Sequence, residues 1–144
     1  MYPTANHWYD DALLVNRDSD WWTCFCLDGY TDKGYPMDFS TPETTRASLK
    51  DFVRRFAGHK ITDVVMNVNA QCSSVPSEVM MWYGEKWKQT SENGIPVDYS
   101  DFPFKDWHRI FVEQNVDALQ VMLDELEACG LRTWLSFRMN DCHP

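Results

Sequence analysis

The chain has 144 residues, 44% of them hydrophobic, and a formal charge of −9. That length supports one domain or part of one, and the hydrophobic content excludes an intrinsically disordered chain. The acidity, with Arg54-Arg55 the only adjacent Lys or Arg pair, excludes nucleic acid as the main partner because phosphate binding needs clustered cations; a neutral or cationic ligand fits better.

The opening stretch "MYPTANHWYDDALL" lacks a basic region followed by an apolar core, so no secretory signal is expected. No apolar run approaches the length of about 18 residues that a membrane-spanning helix needs. Five cysteines, an odd number without a dense framework, fit reduced thiols and a cytoplasmic protein. Residues 1–20 are polar and aromatic without a period and read as an irregular N-terminal segment. Trp21 to Leu27 is an aromatic and apolar run bounded by Asp20 and Asp28-Gly29, which predicts the first strand. Gly29, Gly34 and Pro36 mark the loop after it.

A helix is predicted from Pro42 to Ala57. Ser40 or Thr41 is its cap, Glu43 stands at capping-box spacing from Ser40, and Gly58 is its stop. Leu49, Phe52, Val53 and Phe56 recur at helical spacing as one apolar stripe. "ITDVVMNVNA", from Ile61 to Ala70, is the second strand, and "RTWLSFRMN", from Arg132 to Asn140, the third. Before the third lies a helix, "DALQVMLDELEACG", with Asp117 and Gln120 at capping spacing, a stripe of Leu119, Met122, Leu123 and Leu126, and Gly130 at its end. Between the second strand and this helix, residues 70–114 form an insert far longer than the usual connection of about 2–6 residues. It carries Trp82, Tyr83, Trp87, Tyr99, Phe102, Phe104 and Trp107. Core packing accounts for most tryptophans, but their loop-like setting also suits stacking on a ligand, with Trp82 and Trp107 as candidates.

Strands alternating with helices predict an α/β fold with a parallel β-α-β-α-β sheet and a long aromatic insert after the second strand. Successive strand residues face opposite sides. Val64, Met66 and Val68, Phe25 and Leu27, and Leu135, Phe137 and Met139 suit burial under the helices. The opposite set carries Asp28, Asn67, Asn69, Arg138 and Asn140 toward the strands' carboxyl ends, where parallel α/β folds bind ligands. These residues also suit ordinary loop starts. Arg138, always charged, needs a carboxylate partner or a ligand, and a structural ion pair is the competing reading. Cys24-x-Cys26 and Cys142-His143 match no usual zinc spacing, so no metal is expected. The absence of GxGxxG, P-loop and GxSxG motifs gives no reason to expect a cofactor.

The segment "DALQVMLDELEACGLRTWLSFRMNDCH", with "WWTCFCLD" and "ITDVVMNVNAQ" before it, resembles the opening of (β/α)8-barrel proteins of the family-10-like glycoside hydrolase type. The resemblance spans about Trp21 to Pro144, and "SFRMNDCH" is its most specific part. It implies that residues 1–144 form a single partial domain, the first strands of an incomplete (β/α)8 (TIM) barrel. It further implies a carbohydrate ligand, bound in a cleft lined by Arg138, Asn140, Asp141 and His143. Hydrolysis requires two flanking carboxylates, which such barrels carry on later strands, so the chain is expected to be an N-terminal fragment that is inactive alone. The alternatives are a non-catalytic carbohydrate-binding or assembly domain and an unrelated small α/β protein with a structural aromatic core. Self-association through exposed sheet edges is expected of the incomplete barrel.

Overall fold

A computed structural model of the chain describes residues 12–17, 37–70, 72–98 and 104–137. Three parallel strands form the central sheet: β1 (Leu14–Arg17), β2 (Asp63–Asn67) and β7 (Arg132–Ser136), in the order β1-β2-β7. Helix α1 (Pro42–Arg54) connects the first two strands, and α4 (Ala118–Ala128) leads into the third. The fold is therefore α/β with a parallel sheet. In β2, Val64 and Met66 are fully buried in one core with Leu49, Phe52, Val53 and Phe56 from α1 and its following turn, and with Met122 and Leu126 of α4. The two helices thus lie together on one face of the sheet, the face their apolar stripes predict.

The caps explain the helix boundaries. Thr41, with extended backbone, accepts a hydrogen bond on its hydroxyl from Thr44 N at 3.2 Å, while Thr41 N donates to Thr44 Oγ1 at 3.1 Å. The capping box is therefore Thr41–Thr44, one residue beyond the expected Ser40–Glu43; the Ser40 N–H is already taken by Asp38 Oδ1 at 2.9 Å. Regular helix stops at Arg54, and a turn runs on to Gly58, whose φ of 76° needs no Cβ in the way. At α4, Asp117 Oδ1 accepts from Gln120 N at 3.0 Å, as the spacing predicts, and Gly130 ends the turn with φ 78°.

Two strand assignments need correction. Residues 1–20 were expected to be irregular, yet Leu14–Arg17 pairs in register with Asp63–Met66 of β2. A four-residue strand holds too few positions to show alternation, and only Val15 packs on the core. The expected first strand, Trp21–Leu27, lies outside the described residues, as do Asp28 and the stretch from 138 onward. In β7, Leu135 pairs with Met66 and so shares its face, but Leu135 is 56% exposed and Phe137 58%. The alternation was right and the burial was not: α4 packs chiefly on α1, and among the described residues its contact with β7 leaves Leu135 and Phe137 more than half exposed.

The insert has its own architecture. A small hairpin, β3 (Asn69–Ala70) and β4 (Cys72–Ser73), follows β2, then α2 (Tyr83–Lys86), a second hairpin β5 (Ser91–Glu92) and β6 (Ile95–Pro96), and α3 (Phe104–His108), which continues into a π-helical turn (Arg109–Glu113). Asn93 and Gly94, with φ of 51° and 77°, make the tight turn of the second hairpin. Trp107 and Phe111 stack with ring centroids 5.6 Å apart and planes 4° apart, Tyr83 packs beside Trp107, and Trp82 meets Phe111 edge-on at 5.8 Å. Gly84 packs directly on the Trp82 indole, where a Cβ would collide with the ring. Among the described residues no helix is long and apolar enough to cross a membrane.

Candidate functional site

The carboxyl end of the sheet gathers neutral polar groups. Asn67 closes β2 and is only 3% exposed. Its Nδ2 donates to Ser136 Oγ at 3.3 Å, and its Oδ1 accepts from Asn69 N at 3.2 Å. Asn67 and Ser136 are register partners in the parallel pair, so both stand on the face away from Val64 and Met66. The backbone continues the network: Val68 N donates to Ser136 O at 3.1 Å and Ser74 N to Val68 O at 2.8 Å. The Ser73 hydroxyl bonds the Val75 backbone, donating to its O at 2.7 Å and accepting from its N at 3.2 Å. Ser74 Oγ is fully buried and makes no hydrogen bond among the described residues.

Amides and hydroxyls of this kind donate and accept at once, which suits a ligand rich in hydroxyl or carbonyl groups. They do not titrate near neutral pH, so these five residues cannot serve as general acid or base. Of the residues expected at the site, Asn67 and Asn69 are brought together here. Asp28, Arg138, Asn140, Asp141 and His143 lie outside the described residues. Trp82 and Trp107 are buried in the aromatic cluster of the insert, where the Trp82 backbone bridges that of Ser73. Their rings pack on Phe111, Tyr83 and His108, so in this structure they act as core and present no open face to a sugar. The insert needs that core because its short helices and hairpins bury little else.

The opposite, amino end of the sheet holds a charged cluster that the strand-end reading overlooked. Asp63, the first residue of β2, is fully buried. Its carboxylate accepts from Arg132 Nε at 2.8 Å and Nη2 at 2.7 Å, from Trp134 Nε1 at 2.8 Å and from Thr62 Oγ1 at 2.5 Å. The Arg132 hydrogen bonds hold this carboxyl far below its ordinary value of 3.8; burial opposes the shift, and Thr62 and Trp134 reinforce it. The signal was present in the sequence: Asp63 lies on the same alternating set as Val65 and Asn67, and Arg132 and Trp134 share a set with Ser136.

A second ion network joins the helices. Glu125 of α4 accepts from Arg54 Nε at 2.6 Å and pairs with Lys50 Nζ at 3.4 Å. The Arg54 hydrogen bond is the main cause of its lowered carboxyl pKa. Burial pushes the Cys72 thiol up, which makes it a poor nucleophile. Among the described residues no group of three or more His, Cys, Asp or Glu is placed to hold a metal ion.

No protein-family model matches the chain, and no curated sequence matches it. The geometry has to carry the functional reading.

Proposed function

We propose that the chain belongs to a glycoside hydrolase-like (β/α)8 barrel and binds carbohydrate at the carboxyl end of its parallel strands. One observation carries the reading. The strands run in sequential order with both helices on one face, and the other face ends in the pair of buried Asn67 and half-buried Ser136. Sequential, one-sided winding is what a closing barrel requires, whereas a doubly wound sheet divides its helices between two faces. In this reading Asn67 and Asn69 contribute amide contacts to sugar hydroxyls. Asp28, Arg138, Asn140, Asp141 and His143 line the remainder of the cleft, as the family resemblance implies. Hydrolysis would need a carboxylate pair flanking the bond, and no residue of the chain is assigned to it.

The test is titration of the chain with neutral oligosaccharides, followed by NMR at the Asn67 side-chain amide. Saturable shifts are expected, with Asn67→Ala weakening binding about three- to ten-fold, as loss of one neutral hydrogen bond does. Absence of binding, or binding indifferent to Asn67→Ala, sinks the reading.

The exposed Trp134, Leu135 and Phe137 on and just after β7 favour a second reading, an assembly domain that associates through this strand. Among the described residues β7 pairs on one side only, and such edges invite pairing with another chain. Sedimentation separates the two readings: a monomer at every concentration that still binds sugar excludes assembly.

A further inference from the structure

The geometry points to a second carbohydrate site, a cleft between the π-helical turn and the start of α4 that takes one neutral sugar ring. The cleft has a volume of about 340 Å³, inside the range of ~300–1,000 Å³ typical of ligand pockets. Phe111, Pro76 and Leu119 give it an apolar wall, and Asn115, Asp117 and Gln120 give it a polar one. Val75, which also lines it, is tied through its backbone to Ser73 of the carboxyl-end network, but neither Asn67 nor Ser136 borders the cleft.

The polar wall has unused hydrogen-bonding capacity. The Asn115 side-chain amide makes no hydrogen bond among the described residues; only its backbone O is engaged, by Arg46 Nη2 at 3.4 Å. Gln120 donates from Nε2 to Asp124 Oδ1 at 2.6 Å, which turns that amide without using its Oε1. One oxygen of Asp117 takes the Gln120 backbone N–H at 3.0 Å, and the other makes no such bond. The result is one donor-acceptor amide and two further acceptors along one side of the cleft, the pattern that sugar hydroxyls satisfy. The helix amino terminus is not the attraction, since Asp117 already consumes the Gln120 N–H. Among the described residues the one charged side chain lining the cleft is that of Asp117, which disfavours an anionic ligand.

Phe111, half-buried, stacks on the fully buried Trp107 and meets Trp82 edge-on, so packing from behind holds its ring at the border of the cleft. The π-helical turn sets both walls. Gln114 N donates to Arg109 O at 2.8 Å, five residues back, and Val116 N to Ile110 O at 2.9 Å. Asn115 sits between them with φ of 51°, a left-handed conformation that Asn tolerates better than most residues. Gln114 anchors the turn to the rest of the fold: its Oε1 accepts from Thr45 Oγ1 at 2.7 Å and its Nε2 donates to Phe39 O at 2.7 Å. A wall fixed before the ligand arrives loses less entropy on binding. Single-turn π-helical segments recur at functional sites for such reasons.

The experiment is a titration of the full chain with methyl glucoside, methyl galactoside and methyl xyloside, read by the side-chain amide signals of Asn115 and Gln120. At least one sugar is expected to shift both, with a dissociation constant on the order of 1–10 mM. Asn115→Gly removes the amide while suiting the positive φ, and Gln120→Ala removes an exposed acceptor; each is expected to weaken binding roughly three- to ten-fold. Phe111→Leu keeps an apolar side chain and loses the ring face, and it should weaken binding as well. Asn67→Ala should leave these shifts unchanged, so the two sites fail separately. The proposal is overturned by no shift up to about 50 mM sugar, by shifts that survive all three cleft substitutions, or by methylammonium shifting these amides where the sugars do not.

Discussion

The two ends of the same sheet solve the burial of polar groups in opposite ways. At the amino end a charged carboxylate, Asp63, has a complete set of donors: a bidentate guanidinium, an indole and a hydroxyl. At the carboxyl end the groups are neutral, the Asn67–Ser136 bond is long at 3.3 Å, and Ser74 Oγ has no partner among the described residues. A saturated charge specifies register and resists change, whereas a neutral network with spare capacity is where a hydroxyl-rich ligand gains contacts. In parallel folds the first kind of end serves stability and the second kind function.

The largest expected effect comes from removing the charge at the saturated end. Asp63→Ala leaves Arg132, Trp134 and Thr62 without their shared acceptor. Hydrogen bonds to charged groups are worth more than neutral ones, so a loss of about 2–3 kcal/mol is expected, moderated because the half-exposed Arg132 can turn to water. Urea unfolding gives the value. A change below about 0.5 kcal/mol, the range of ordinary surface substitutions, would erase the distinction between the two ends.

Acid sharpens it. A carboxyl whose folded pKa is depressed contributes stability that is fully present above its unfolded value and is lost as pH falls through the folded one. For Glu125 the loss begins below 4.5, and for Asp63 below 3.8, continuing to much lower pH because Arg132 holds that proton affinity down. Unfolding midpoints should therefore be flat above pH 5 as far as these two groups are concerned, and should fall below it. Asp63→Asn should flatten the lower part of the acid limb and leave the Glu125 part. An unchanged limb would mean that Asp63 is paired in the unfolded chain as well.

Much of this was legible in residues 40–67 and 117–136. The stripe Leu49, Phe52, Val53 and Phe56, the Asp117 cap and the alternation of Val64 and Met66 each follow a local rule, and local rules read well from sequence. Asp63 stands at the amino end of its strand, away from the carboxyl ends where parallel folds bind ligands, although the same alternation places Asp63, Arg132 and Trp134 on one face. Leu14–Arg17 was missed because its strand identity comes from pairing with β2, a long-range fact that four residues do not announce. An insert of that length reads as loop, which suggests Trp82 and Trp107 for a ligand, whereas their rings join the one hydrophobic core shared with α1, β2 and α4. The cleft at Phe111 and Asn115 depends on a π-helical turn, which has no sequence period to betray it.

A smaller effect on folding is expected at the carboxyl end. Asn67→Ala removes the neutral hydrogen bonds to Ser136 Oγ and from Asn69 N among the described residues and leaves both groups to find new partners, at a cost of about 1–2 kcal/mol. Its larger consequence should be on sugar binding, and the ratio of the two losses is the measure of function over structure. Loss of folding without any loss of binding would assign Asn67 to the scaffold.

The smallest effect is the most discriminating. Ser74 is fully buried and its hydroxyl makes no hydrogen bond among the described residues, while its backbone N–H is bonded to Val68 O. A buried hydroxyl without a partner costs free energy that a methyl group of similar size does not. Ser74→Ala removes the hydroxyl and keeps the backbone bond, so stability should stay within about 0.5 kcal/mol of the parent and lean upward. The corresponding deletion at the other end, Thr62→Val, takes a donor from Asp63 and should lower stability. Equal losses at Thr62 and Ser74 would show that the carboxyl end is as fully bonded as the amino end, and the argument that its spare capacity awaits a ligand would fall with that result.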